Sequence, residues 1–308
     1  MIIEFASVAV GLLILIFAGD ALVKGAVNLA LRLGLPALVV SLTVVAFGTS
    51  APELLVSVQA VIDGVPGLAL GNVVGSNTAN VLLVLGVPAL IATLHTSNCE
   101  TRKDYAYMVV ASLIFIALCF SGSLVWWNGL ILLSVLVAIL LATFLSSRGA
   151  EDEVEGADDS LPGWKLTTFL VLGLIGLPLG ASLLVDGASE IARAFGVTET
   201  VIGLTLVAIG TSLPELATTV MAAIRRHADV ALGNVIGSNL FNLTAIVGIT
   251  VLVGPIPVEE SFLRLDLWIM LGATALLIPF VFLRQDITRL WGIGLFAIYV
   301  AYLVLVLV

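Results

Sequence analysis

The sequence predicts an all-α membrane protein of ten transmembrane helices, arranged as two inverted five-helix repeats, with helices 2 and 7 broken midway. Three observations carry that prediction. Of 308 residues, 60% are apolar and only 11% charged, and the mean hydropathy is strongly positive. The apolar residues gather into ten stretches. The second half of the chain then repeats the first.

Composition excludes a water-soluble globule. Such a domain carries about 25% charged residues, and a chain of this length has no interior large enough to hide so much apolar surface. A helix crosses ~30 Å of hydrocarbon with about 20 apolar residues. Stretches of roughly that size run over 4–31, 36–62, 67–94, 105–121, 124–146, 164–191, 198–224, 229–254, 265–283 and 290–307. The first begins at once and reaches Leu33 without a small-residue cleavage site, so it reads as a retained helix rather than a signal peptide. Cys99 in a polar connection and Cys119 in an apolar run do not make a disulfide framework.

One long polar connection separates the fifth and sixth stretches. It holds Glu151, Asp152, Glu153, Glu155, Asp158 and Asp159 and closes at Pro162. Crowded carboxylates repel and stay solvated, so this is a linker, and it lacks the spacing of a calcium-binding EF-hand. The expected organisation is a first five-helix repeat over 1–147, an acidic linker over 148–163 and a second repeat over 164–308.

The duplication is gapless. Adding 162 takes Gly48-Thr49-Ser50 to Gly210-Thr211-Ser212, Pro52-Glu53 to Pro214-Glu215, and Gly71-Asn72-Val73 to Gly233-Asn234-Val235. It also takes Gly75-Ser76-Asn77 to Gly237-Ser238-Asn239, and Asn80 to Asn242; half the residues from Ser41 to Gly86 match their partners. Shared hydrophobicity explains matching Leu and Val, but not matching Pro, Glu, Asn and Ser. Five spans per half is an odd number, so the second half enters the membrane from the opposite side, and substrate sites of such transporters lie at the repeat interface. With the N-terminus outside, ten of the twelve Lys and Arg residues fall at the inner face, and only Arg193 and Arg264 fall outside. That is the bias of cytoplasmic connections. Both termini are therefore expected outside and the acidic linker in the cytoplasm of a cell-membrane protein.

Span two places Gly48, Thr49, Ser50, Pro52 and Glu53 inside an apolar helix. Proline removes a backbone donor and breaks the helix, which is expected to free carbonyls over Ala46 to Thr49. Such backbone is tolerated at membrane depth only inside protein or along a polar cavity. Carbonyls, hydroxyls and a carboxylate are all oxygen ligands, suited to hard cations such as Ca²⁺ or Na⁺. A carboxylate at the bilayer centre costs about 2.5–3.5 kcal/mol, and pseudo-symmetry brings Glu53 and Glu215 together, where they repel unless a positive charge sits between them. A divalent cation relieves both costs. The plainer reading is a pair of protonated structural glutamates, and their repetition in matching surroundings argues against it.

Spans three and eight supply a second wall. Ser76 and Asn80 share a helix face at i, i+4, and Ser238 and Asn242 repeat the pair; ligation is favoured for these over interhelical hydrogen bonding. Asn72 and Asn234 lie one turn further back. Gly71, Gly75, Gly233 and Gly237 read as packing positions. Asn77 and Asn239 point about 100° away from the serines and read as supports rather than ligands. Asp20 and Asp186 read as interfacial or helix-packing charges, and His95 and His227 as solvated.

These paired Gly-Thr-Ser-x-Pro-Glu and Gly-Asn-Val-x-Gly-Ser-Asn-x-x-Asn segments resemble the alpha repeats of the cation/calcium antiporter superfamily, in its sodium/calcium exchanger branch of prokaryotic type. The resemblance implies alternating access, with Na⁺ entry driving Ca²⁺ export. It implies Glu53 and Glu215 as shared carboxylates. The carbonyls of Ala46, Thr49, Ala208 and Thr211, the hydroxyls of Ser50, Ser212, Ser76 and Ser238, and the amides of Asn80 and Asn242 would complete the sites. Some relatives, including potassium-dependent exchangers, carry Asp where this chain has Asn242. With only two fixed charges at the centre, K⁺ cotransport is not expected. One Ca²⁺ gives a neutral site and three Na⁺ a positive one, if the family stoichiometry holds, so transport is expected to be electrogenic. Proton/calcium exchangers of the superfamily usually show Gly-Asn-x-x-Glu, where Gly75 and Gly237 stand here.

The alternatives are a proton/calcium antiporter and, in another class, a passive cation channel. An intramembrane enzyme lacks a nucleophile, zinc motif or cofactor loop beside its carboxylates. No cofactor and no nucleic acid are expected, only lipid and the transported ions, with a monomeric transport unit.

Overall fold

A computed structural model describes residues 1–147, 161–197 and 208–307. Helix α1 spans Ile2–Leu33. It stops because Gly34 takes a left-handed conformation, φ 61°, and turns its N–H back onto the carbonyls of Ala30 and Leu31, a geometry open to glycine at little cost. Helix α2, Ala37–Thr49, contains a π-helical turn over Ser41–Val45. It gives way to α3, Ala51–Ile62, at a 42° bend. Pro52 explains the bend. In the first turn of α3 its missing N–H is harmless, yet it denies Gly48 the donor that a continuous helix would supply four residues on. Ser50, at φ −84° and ψ 8°, carries the break. The second half repeats this: α8, Ala208–Thr211, is followed by α9, Leu213–Ile224, with Ser212 at φ −87° and ψ 3° and Pro214 in the first turn. The start of the expected stretch 198–224, residues 198–207, lies outside the described residues, as does most of the acidic linker.

The other helices are α4 (Pro66–Ile91, with a turn at 83–85), α5 (Arg102–Cys119), α6 (Trp126–Ser147), α7 (Gly163–Ala194), α10 (Ala228–Val253), α11 (Phe262–Phe282) and α12 (Arg289–Leu307). Each falls on an expected apolar stretch. Among the described residues, six helices are long and apolar enough to cross a membrane, seven if α2 and α3 make one broken span. The all-α expectation misses two small β contacts. Strands β1 (Ser123–Leu124) and β2 (Ile256–Pro257) pair antiparallel, and Leu94 bridges Ile287. Leu94 and Ile256 are repeat partners, so each half contributes a corresponding connection to one of the two ties.

Burial sets the layers. Most of the apolar core of α4 and α10 is enclosed, 78% and 89% buried, against 22% for α1 and α7. The enclosed helices therefore form the centre. α1 and α7 pack together on the outside, Gly11 against Gly180, Leu22 against Gly173 and Glu4 against Gly187. Rising numbers on one helix meet falling numbers on the other, so the pair is antiparallel. Small residues permit this approach: a Cβ on Gly11 would lie 2.7 Å from the Gly180 carbonyl oxygen. Both breaks abut α7, with Gly48 against Leu174 and Gly210 against Val185. Gly233 and Gly237 pack on the α2 backbone at Leu38 and Leu42, as a packing role requires. Counterpart contacts for Gly71 and Gly75 would fall at 200 and 204, outside the described residues.

Polar groups at the rim are tied down more than the sequence suggested. Asp20 joins Lys24, 2.9 Å away, to Arg225 at the end of α9, which is the helix-packing role expected of it. Asp186 accepts from Ser182 Oγ at 3.1 Å. His95 is exposed but not merely solvated: its Nδ1 lies 2.9 Å from Asp286 Oδ2. Ser97 N–H donates to the same carboxylate, 3.0 Å.

Replacing Gly11 by Leu would force the α1–α7 pair apart. Overpacking of this kind costs about 1–3 kcal/mol, so thermal melting in detergent should fall by several degrees; an unchanged Tm would contradict the close approach.

Candidate cation site

The two breaks bring their glutamates to the protein centre. Glu53 lies in the first turn of α3 and Glu215 in the first turn of α9, both wholly buried. Each therefore sits at a helix N-terminus, where the helix dipole favours negative charge. The walls are α4 and α10, which carry Ser76, Asn80, Ser238 and Asn242, all buried. Thr49, Ser50, Thr211 and Ser212 at the breaks are buried too.

A duplicated hydrogen-bond frame holds this centre. Asn72 Nδ2 donates to the Glu53 carbonyl (3.1 Å) and to Ser57 Oγ (3.0 Å). Asn234 Nδ2 repeats both bonds, to the Glu215 carbonyl (3.3 Å) and to Thr219 Oγ1 (3.1 Å). The halves also cross. Thr49 Oγ1 donates to Asn234 Oδ1 at 3.3 Å, and Thr211 Oγ1 to Asn72 Oδ1 at 3.5 Å. Thus each asparagine fixes the glutamate turn of its own half while accepting from the threonine of the other.

Proximity of the two acids follows from these links. Ser50, which opens α3, donates to Glu215 Oε1 at 3.0 Å, so the second-half carboxylate lies at the first-half break. Ser238 Oγ reaches the same oxygen at 3.5 Å. Glu53 lies in the turn that Ser50 opens, so both acids belong to one buried centre.

Around them, buried polar atoms lack partners among the described residues: both carboxylate oxygens of Glu53, Glu215 Oε2, the hydroxyls of Ser76 and Ser212, Oδ1 of Asn77 and of Asn80, and both amide atoms of Asn242. An unmade hydrogen bond on a buried group costs about 1–3 kcal/mol, more when the group is charged. All but one of these atoms are oxygens, the donor set of a hard cation. Among the described residues, no three His, Cys, Asp or Glu side chains group around a metal position. Two carboxylates supplemented by neutral hydroxyl and amide oxygens are what remain.

The structure corrects one backbone expectation. Ala46 O is not released by the break, since it accepts from Ser50 N–H (3.0 Å); Thr49 Oγ1, whose one proton goes to Asn234 Oδ1, lies 3.3 Å from it. Ser50 is still close enough to helical geometry to complete that bond; the donor removed by Pro52 is the one owed to Gly48. Ala208 opens α8 as the first described residue after the gap. Sequence reading missed Ser57 and Thr219, the second anchors of Asn72 and Asn234. Their only signal was a hydroxyl at both repeat positions. Asn239, set aside as a support, accepts from Asn80 Nδ2 at 3.1 Å.

Comparison with known proteins agrees with this architecture. Residues 3–145 and 165–308 match the family described as sodium/calcium exchanger protein. The chain belongs to the sodium/calcium exchanger family. The putative antiporter CaxA of Alkalimonas amylolytica is 35% identical, over 90% of this chain and 89% of that one. The sodium/calcium exchanger MaX1 of Methanosarcina acetivorans is 32% identical, over 98% of each. A solved structure of the sodium-calcium exchanger NCX_Mj, soaked with Na⁺ and Ca²⁺, superposes with a TM-score of 0.83 at 31% identity, covering 98% of this chain and 97% of that one. This family member is a multi-pass membrane transporter of the cation/calcium antiporter superfamily, not an enzyme.

Asn234→Leu would remove both anchors of the Glu215 turn. Losing these bonds should destabilise the protein by about 1–3 kcal/mol, read as a lower Tm in detergent; an unchanged Tm would show that the frame does not hold the turn.

Proposed function

We propose that the protein is a secondary antiporter exchanging Ca²⁺ for Na⁺ by alternating access, with the shared site between Glu53 and Glu215. The observation that carries this reading is the pair of buried carboxylates, one from each half, ringed by unpartnered oxygens. Glu53 and Glu215 would bind either ion. Ser50, Ser76, Ser212 and Ser238 would add hydroxyls, Asn80 and Asn242 amide oxygens, and Thr49, Thr211, Ala46 and Ala208 backbone carbonyls. Of these carbonyls, that of Ala46 accepts from Ser50 N–H and would ligate with its second lone pair, Thr49 Oγ1 donating to Asn234 instead.

The chain is proposed to hold ten spans in two inverted repeats, 1–147 and 164–308, joined by a cytoplasmic acidic linker at 148–163 with both termini outside. The antiparallel α1–α7 pair and the matched hydrogen-bond frames support that plan. So does the family match, which falls in two stretches, one per half. Because both halves build the one site, a single chain suffices as the transport unit. Na⁺ is preferred over H⁺ as coupling ion because Gly75 and Gly237 stand where proton exchangers carry Glu, and because MaX1 and NCX_Mj are sodium/calcium exchangers by name. Two fixed negative charges balance one Ca²⁺ and leave three Na⁺ in excess, so exchange would carry current.

Counter-ion-dependent ⁴⁵Ca²⁺ flux in proteoliposomes tests this, with Na⁺, K⁺ and H⁺ gradients imposed separately. Only the Na⁺ gradient should drive uptake, with a measurable current; flux driven by H⁺ alone, or flux indifferent to any gradient, would replace the proposal with a proton exchanger or a channel. Glu53→Gln and Glu215→Gln should each reduce Na⁺-driven uptake in everted vesicles to background, and near-normal uptake by either would exclude the shared site. Asn242→Asp should shift cation preference or voltage dependence while assembly is kept. Unaltered transport by a poorly assembling variant would remove Asn242 from the ion path.

A further inference from the structure

The hydrogen bonds at the centre fall into two groups. Those of the frame obey the repeat. Asn72 and Asn234 make matching bonds, and Thr49 and Thr211 donate to them in matching fashion, with paired distances agreeing within 0.2 Å, as in 3.1 and 3.3 Å for the two carbonyl bonds; Thr49 Oγ1 alone also lies 3.5 Å from a site serine, Ser238. The bonds that face the proposed ion do not obey it. Ser50 donates to Glu215, but Ser212 makes no bond to Glu53. Ser238 donates to Glu215, but Ser76 makes none to Glu53. Asn80 Nδ2 donates to Asn239 Oδ1, but Asn242 makes none to Asn77.

In all three cases the absent mirror bond leaves both of its would-be partners unpaired among the described residues. Ser212 Oγ, Ser76 Oγ and both Glu53 oxygens lack partners, and so do Asn242 Nδ2 and Asn77 Oδ1. Asn77 instead turns its own amide to the Val73 carbonyl, 2.7 Å away on its own helix, while Asn239 Nδ2 reaches across to the Asn77 carbonyl at 3.3 Å. The residues concerned are the same in both halves, so the satisfied and unsatisfied sets can exchange, as they would between two states of nearly equal free energy. Packed interfaces switch between discrete arrangements rather than deforming continuously.

We propose that Asn77 and Asn239 are positioning residues that work in turn. Each orients the site asparagine of the opposite half in one of two mirror-related transport states. In the state seen here Asn239 holds the Asn80 amide, so that Asn80 Oδ1 is aimed and Asn242 is loose. In the mirror state Asn77 releases Val73 and accepts from Asn242 Nδ2, Asn239 turns back to its own helix, and Asn80 is loose. The serine bonds exchange with them, from Glu215 to Glu53. Neither Asn77 nor Asn239 need touch the ion. This inference rests on the antiport reading above and assigns its two access states to two hydrogen-bond sets.

The test is sided kinetics. The KM for Ca²⁺ of Na⁺-coupled ⁴⁵Ca²⁺ exchange is measured in right-side-out and in everted membrane vesicles for wild type, Asn239→Ala and Asn77→Ala. If either alanine variant fails to reach the membrane, the serine replacement, which keeps a small polar side chain, takes its place. Losing one orienting hydrogen bond is worth about fivefold to tenfold in affinity. Asn239→Ala should raise KM by that factor from one face only, and Asn77→Ala from the other face only. Equal shifts from both faces, a fall in kcat with KM unchanged, or no change would each overturn the proposal, since a merely structural role has no sidedness. Absence of Na⁺-coupled flux in wild type would defeat the antiport reading itself. Normal wild-type exchange with variants that show no sidedness defeats only the positioning role.

Discussion

Two carboxylates share a wholly buried centre with no lysine or arginine among their described hydrogen-bond partners, and that constraint organises the rest of the structure. Ionised acids so placed repel each other and have lost their water. What the protein provides instead is geometric: a helix N-terminus under each acid, a few hydroxyls, and a rim of unpaired oxygens. A positive charge between them would relieve both costs. On the proposed reading the protein keeps a place for a cation here, and a transported ion would find it attractive yet not so fully satisfied that it cannot leave.

The broken helices solve a mechanical problem alongside the electrostatic one. A glutamate on an unbroken transmembrane helix would compete with its own backbone for no donors at all. With Pro52 and Pro214 in their first turns, the restarted helices begin two residues ahead of each glutamate, at Ala51 and Leu213, so N-terminal dipole and side chain coincide. The restart must then be held in place, and Asn72 and Asn234 do so by bonding the glutamate carbonyl and a hydroxyl one turn on. Cross-half bonds from Thr49 and Thr211 lock the two frames together. The frame bonds are made in both halves, while the bonds to the carboxylates are made to Glu215 and not to Glu53.

Much of this was legible in the sequence because buried polar residues have few innocent explanations in an apolar chain. The helix positions followed from hydropathy, and the breaks at Ser50 and Ser212 followed from proline chemistry. Repetition separated Glu53 and Glu215 from incidental acids such as Asp20. Other features were illegible for physical reasons. A proline announces that a carbonyl loses its donor, but local dihedral angles decide which one, and Ala46 kept its bond through Ser50. Ser57 and Thr219 look like ordinary helix-interface hydroxyls until Asn72 and Asn234 are seen on them. The β ties join connections of opposite halves, and contacts so distant in sequence leave no local pattern. The asymmetry of the asparagine bonds could not be read at all, because the residues concerned, Asn77, Asn80, Asn239 and Asn242, are the same in both halves.

The central claim is that Glu53 and Glu215 jointly coordinate the transported cation. Crystals grown or soaked in Ca²⁺ test it most directly through the position of the metal in the density. The account predicts one site with oxygens of both carboxylates at about 2.3–2.6 Å, the usual range for Ca²⁺. Calcium bound by only one of these acids, or located elsewhere while both remain unliganded at saturation, would contradict it.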